Sequence, residues 1–157
     1  MAIEPVVGFY NRETNIDLSV EGWTVGTVKA DTESEVLPLR VWNNKGGEEL
    51  ASTMQDCELY ILDENEVKLQ PIVTEGWLKG LCASLGDTEF ITIDDQTVLN
   101  IGSSESDTSN YDIFGDINDG EDTNIRNFAD VDLKFAVPFG ATHGQKGFSV
   151  AVKYFYT

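Results

Sequence analysis

The segment that decides the fold is residues 129–156, ADVDLKFAVPFGATHGQKGFSVAVKYFY. In its first half, apolar residues alternate with charged ones over residues 131–137, and the alternation returns over residues 148–154. A period of two is typical of a half-buried β-strand. Pro138 and the glycines between the halves supply a connection of about ten residues, longer than a tight hairpin. We therefore predict that this segment is the closing strand pair of an antiparallel β-sandwich.

The rest of the chain predicts more strands of the same kind. Nine or ten short apolar runs are separated by polar turns, and no amphipathic helix exceeds two turns. Segments 16–20 and 23–28 read as strands, 67–73 as an edge strand or extended loop, 77–84 as a strand, and 111–117 as a further extended segment. Segments 89–93 and 97–101 flank Asp94, Asp95 and Gln96 and predict a hairpin. A helical turn is expected only at 48–54. The fold class is all-β, with one sandwich domain over residues 1–157 and little or no helix.

The chain is strongly acidic. It has 28 acidic residues against 10 basic ones and a formal net charge of −18, and we expect no local block to reverse that sign. Nucleic acid and anionic membranes are bound through clustered Lys and Arg, so neither is an expected partner. The acidity favours solubility and the binding of cations.

The sequence also predicts the compartment and the state of the thiols. The first ten residues lack the basic and apolar regions of a signal peptide, and no run approaches the length of a membrane span. We expect a protein made soluble in the cytoplasm. Cys57 and Cys82 are the two cysteines, and two buried thiols are favoured over a disulfide.

An acidic loop is the candidate metal site. It contains seven side chains with oxygen atoms within 13 residues: Asp112, Asp116, Asn118, Asp119, Glu121, Asp122 and Asn124. Ca²⁺ takes six to eight oxygen ligands, so Ca²⁺ binding is chemically open. Gly120 stands at the fifth position of the run that starts at Asp116, whereas an EF-hand loop needs glycine at the sixth. A solvated loop is therefore favoured, and no cofactor is expected.

No catalytic motif is evident. His143 is the single histidine, and no nucleophile has motif context beside it. The sequence instead offers interface candidates. Trp42 alternates with the apolar face of its strand and is expected on the outer surface, where tryptophan suits a protein contact or a sugar ring. Phe139 and His143 lie in the glycine-rich connection 139–147, which we interpret as a contact loop for a neighbouring subunit.

The ending of the chain resembles a known class of domain. The pattern V-x-L-x-x-x-V-P-x-x-A-x-x-G-x-x-x-F-x-V-x-V falls on Val131, Leu133, Val137, Pro138, Ala141, Gly144, Phe148, Val150 and Val152. It looks like the ending of Ig-like accessory β-sandwiches, and the chain is similar to small structural proteins of tailed bacteriophages. The resemblance implies a non-enzymatic virion protein of the tail, baseplate or capsid surface, located in the virion, whose partners are other virion proteins in an oligomeric assembly. The alternatives are a carbohydrate-binding or receptor-binding module and a Ca²⁺-stabilised adhesin-like domain.

Overall fold

The computed structural model describes residues 3–107, 110–141 and 144–157. Within these residues two antiparallel sheets, two one-turn α-helices and one 3-10 turn, Ala83–Leu85, form. The predicted all-β sandwich with little helix is therefore confirmed. The strands are β1 Val7–Asn11, β2 Thr32–Glu33, β3 Leu37–Asn43, β4 Gln55–Asp63, β5 Leu78–Cys82, β6 Ile91–Ile93, β7 Leu99–Asn100, β8 Phe128–Val137 and β9 Phe148–Phe155. The helices are α1 Leu18–Glu21 and α2 Pro71–Thr74.

The first sheet is built around β8. Its strand order is β1-β3-β8-β5-β6, and β2 pairs with the end of β8. The alternation in the sequence fits this position, because Val131, Leu133 and Phe135 are buried on the core side. Leu133 of β8 is paired with Leu37 of β3 on one side and with Gly80 of β5 on the other. The ten-residue strand thus forms the centre of the larger layer.

The second sheet has three strands in the order β7-β4-β9. Leu59 and Ile61 of β4 are fully buried against the first sheet. The core between the layers also contains Cys57 and Cys82, which are buried free thiols. The prediction of two buried thiols is therefore confirmed.

The predicted closing strand pair is wrong, although both of its strands exist. β8 pairs with β3, β5 and β2, whereas β9 pairs with β4 in the other sheet. The connection 138–147 therefore crosses from one layer to the other. The predicted hairpin at 94–96 fails in the same way, since β6 pairs with β5 and β7 with β4. Alternation shows that a segment is a strand, but the partner is set by contacts distant in sequence.

Several shorter predictions are also wrong. Segment 16–20 contains the start of α1, because the Asp17 carboxylate accepts a hydrogen bond from the Ser19 N–H and caps a helical turn. Segment 67–73 leads into α2, which has Pro71 at its first position. Segment 48–54 forms no helix. Segment 111–117 contributes one isolated bridge, between Ile113 and Met54. No helix in the described residues is long and apolar enough to cross a membrane.

Candidate functional site

The side chains of the acidic loop are engaged by the protein itself. The Asp116 carboxylate accepts from the Arg126 guanidinium at 2.6 Å. The Asn118 amide donates to the Asn44 carbonyl at 2.6 Å, and its oxygen accepts from backbone N–H groups at 2.8 and 2.9 Å. The Asp119 carboxylate accepts from the Glu121 N–H at 3.1 Å and from the amide of Asn124. These hydrogen bonds fix the loop against Asn44, Gly46 and Arg126.

The remaining metal candidates do not complete a site. Asp122 is exposed and lies 4.0 Å from Arg40, and the Glu121 side chain is exposed as well. Asp112 lies at the other end of the segment, where burial and the charges of Asp56 and Asp107 raise its pKa. Within the described residues no group of three His, Cys, Asp or Glu side chains is arranged to hold a metal ion.

Trp42 is on the outer face of β3, as the alternation predicts, but it is not available to a partner. Its side chain is 2% exposed. The ring packs against Phe128 with centroids 4.8 Å apart, and the Arg40 guanidinium lies 3.8 Å from the Phe128 ring centre. The Lys45 ammonium adds cover at 5.7 Å from the Trp42 ring. The prediction of an exposed interface tryptophan is wrong, because long cationic side chains cover this face.

Phe139 is the interface candidate that the structure supports. It lies in the connection 138–147 and is 89% exposed, the highest value among the large apolar side chains described. His143 lies outside the described residues. The connection leads directly into β9, which ends in Phe155 at 57% exposure, and the next residue, Tyr156, is 39% exposed. Exposed aromatic side chains therefore follow the end of β8, at Phe139, and stand at the end of β9, at Phe155 and Tyr156.

The charge of this region differs from that of the whole chain. Residues 133–157 contain three lysines and none of the 28 acidic residues. Our expectation that no local block reverses the sign is therefore wrong. A window count along the sequence would have found this segment, which a total of −18 conceals. We call β9 together with residues 138–141 and 144–147 the docking face, for the role that is proposed below.

The backbone direction of β4 shows which groups of β9 are unpaired. The Cys57 carbonyl accepts from the Ile101 N–H at 3.1 Å, and the Asp63 N–H donates to the Val67 carbonyl at 2.8 Å. Both residues therefore direct their backbone groups away from β9. Because hydrogen-bonding direction alternates along a strand, Tyr60 and its even-numbered neighbours direct theirs toward β9.

The same alternation applies to β9. Ala151 is opposite Tyr60, so its backbone groups point to β4. Those of Val150 and Val152 point to the other edge, beside which no strand lies in the described part of the chain. Edge strands are usually protected by proline, bulges or charge. β9 contains no proline and a single charged residue, Lys153. It therefore presents an eight-residue edge that can pair with another strand.

A groove of about 910 Å³ adjoins the docking face. Its lining includes residues 23–30 from one segment and Ala141, residues 144–146 and Phe148 from another. Its floor contains a cluster of three rings. The ring centroids of Phe135 and Phe148 are 4.8 Å apart, and Trp23 lies 5.2 Å from the first and 5.5 Å from the second. None of the 17 lining residues is acidic.

Trp23 is the tryptophan that a ligand in this groove can reach. It is half-buried, whereas Trp77 is 5% exposed and its indole N–H donates to the Glu75 carboxylate at 3.1 Å. From the sequence, Trp23, Trp42 and Trp77 are all candidates for an aromatic platform, and alternation favours Trp42 over Trp23. Segment 23–28 was predicted as a strand, but in the structure it forms none, and its position across the groove depends on tertiary contacts.

Comparison of the chain with models of protein families, with curated proteins and with solved structures found no match.

Proposed function

We propose that this chain is a non-enzymatic structural subunit of a phage virion, in the tail, the baseplate or the capsid decoration, that assembles through its docking face. The observation that carries the proposal is the open edge of β9. Strand addition to such an edge joins two chains by main-chain hydrogen bonds, while side-chain contacts at the rim give specificity.

The charge distribution supports the same face. Copies of a chain with net charge −18 repel one another and repel other acidic proteins. Residues 133–157 contribute no acidic side chain, so β9 itself adds nothing to that repulsion, although Glu4 accepts a hydrogen bond from the Tyr156 hydroxyl at 3.3 Å. The uneven distribution of charge on this chain also favours encounters in which the neighbour approaches the less acidic face. Exposed Phe139 then supplies an aromatic anchor of the kind that dominates binding energy at interfaces.

A binding experiment tests this proposal. The purified chain is mixed with the other structural proteins of its particle, and complexes are detected by light scattering and electron microscopy. We expect Phe139→Ser to weaken docking at least about tenfold, as loss of a hot-spot aromatic does. Leu69→Ser is the matched control, because Leu69 is 78% exposed and lies outside the docking face. A persistent monomer without affinity for any virion component contradicts the proposal.

One observation favours a second candidate, a carbohydrate-binding module. Trp23 lies half-buried in the groove beside two phenylalanine rings, and aromatic rings with one apolar face serve as platforms for sugars. Glycan-array binding that is abolished by Trp23→Ala, in a variant that still unfolds cooperatively, supports this candidate. Silence on the array removes it.

A further inference from the structure

The wall of the groove formed by residues 23–28 has unused backbone hydrogen-bonding capacity. These residues belong to neither a helix nor a strand. In the part of the chain that the structure describes, no hydrogen bond joins their N–H or C=O groups to another residue. The flanking residues are held, since the Gly22 N–H donates to the Leu18 carbonyl at 2.8 Å and the Lys29 carbonyl accepts from Thr32 at 3.1 Å. Unpaired N–H and C=O groups beside an apolar groove can form hydrogen bonds with the main chain of a bound peptide.

The side chains of the groove select the charge of what binds there. Its lining contains Lys29 and Lys146 and no acidic residue, in a chain that has 28 of them. Lys29 is exposed at the rim. The floor of Trp23, Phe135 and Phe148 favours apolar side chains. A ligand that satisfies both features combines apolar groups with negative charge.

Gly26 gives a further reason to expect a main chain here. It has φ +85, and a Cβ built on it meets no atom within 4 Å. A glycine beside open space in a ligand groove permits close approach of another backbone. Its left-handed conformation also explains why residues 23–28 do not continue a regular strand within their own chain.

We infer that this groove binds an extended peptide segment of a neighbouring protein, one that carries apolar side chains and at least one carboxylate. The segment pairs its main chain with residues 23–28, places apolar side chains on the aromatic floor, and directs a carboxylate to Lys29. This site shares Phe148 and residues 144–146 with the docking face but uses the backbone of residues 23–28 instead of the open edge of β9. The inference holds whether or not the neighbour belongs to a virion.

Selection from a library of random octapeptides displayed on a surface tests the inference. The full-length protein is the target, and the K29E and K68E variants are screened in parallel. Each variant changes the net charge by the same amount, but Lys68 lies beside Tyr60, away from the groove. We expect the wild-type protein and K68E to enrich peptides that combine apolar residues with Asp or Glu. We expect K29E to bind those peptides about tenfold more weakly, as expected for the loss of one charged contact, and to enrich Lys or Arg instead.

The selected peptide is then titrated into ¹⁵N-labelled protein. We expect the amide signals of residues 23–28 and the indole signal of Trp23 to shift. Enrichment without a preference for acidic residues, an equal effect of K29E and K68E, or shifts confined to other residues overturns the inference. Failure to select any peptide, with shifts at residues 23–28 produced by a glycan or by laurate, assigns the groove to those ligands and also overturns it.

Discussion

Two proline substitutions in adjacent residues of β9 are expected to have different effects on stability. Proline lacks the backbone N–H, so its cost depends on where that N–H points. At Ala151 the N–H points to the Tyr60 carbonyl of β4, whereas at Val152 it points to the open edge. Ala151→Pro therefore breaks the ladder inside the protein, whereas Val152→Pro removes a donor that only a docking strand would use. Proline also fixes φ, but this strain acts in both variants and does not distinguish them.

The magnitudes follow from these positions. Ala151→Pro leaves the Tyr60 carbonyl without its hydrogen-bond donor. This loss lowers the free energy of unfolding by about 1–3 kcal/mol. Val152→Pro exchanges apolar side chains of similar size at a partly buried position and costs less than about 1.5 kcal/mol. The midpoints of these ranges differ by about 1 kcal/mol, which corresponds to a difference in melting temperature of about 2–4 °C for a chain of this size.

Thermal unfolding followed by circular dichroism measures this difference, and urea unfolding gives the free energies. We expect Val152→Pro to keep a cooperative transition close to that of the wild type and to lose the docking activity. Equal destabilisation by the two substitutions, or a larger effect of Val152→Pro, refutes the assignment of the open edge.

Three further predictions concern groups inside the fold. Asn43→Leu is expected to lower the free energy of unfolding by about 3–5 kcal/mol in urea titrations. The reason is that the fully buried Asn43 amide makes hydrogen bonds to the backbone of Val6, Ser52 and Ile113 at 2.9–3.1 Å. An unchanged urea midpoint contradicts this role. Burial tends to raise the pKa of Asp63, but four backbone N–H donors hold that pKa below its usual range. The stabilisation is therefore complete above the unfolded pKa of about 3.9 and is lost as the pH falls through the folded pKa; urea midpoints measured from pH 6 to pH 2 should fall in the wild type and fall less in Asp63→Asn. Burial raises the pKa of Cys57 to about 12 and also raises that of Cys82, so a disulfide reagent at pH 8 should label both thiols only on unfolding, and rapid labelling of the native protein contradicts their burial.

Long alternating segments were the part of the fold that could be predicted from the sequence. β8 and β9 each contain the segment where alternation is recognised, and the buried face of β8 is the predicted one. Alternation is a local property, so it survives whatever sheet the strand joins. The pairing of β8 with β9 was wrong because the connection 138–147 is long enough to cross the sandwich, and nothing in its sequence distinguishes a crossing from a wide hairpin.

The candidate site was predictable only in part. Phe139 was identified because an aromatic residue among glycines has few local partners, and it is exposed. Trp42 was misassigned because its burial depends on Phe128, which is distant in sequence, as well as on the nearby side chains of Arg40 and Lys45. The open edge of β9 follows from the sheet order, which involves residues about 90 positions apart.

The central claim is that this chain is a structural subunit that docks through the open edge of β9. An electron cryo-microscopy map of the chain bound to its neighbour, at a resolution that separates strands, tests it most directly. The claim predicts a strand of the neighbour beside β9, hydrogen-bonded to the backbone of Val150 and Val152, with Phe139 inside the interface. A map in which the β9 edge and Phe139 both face solvent, while the neighbour contacts another surface, contradicts it.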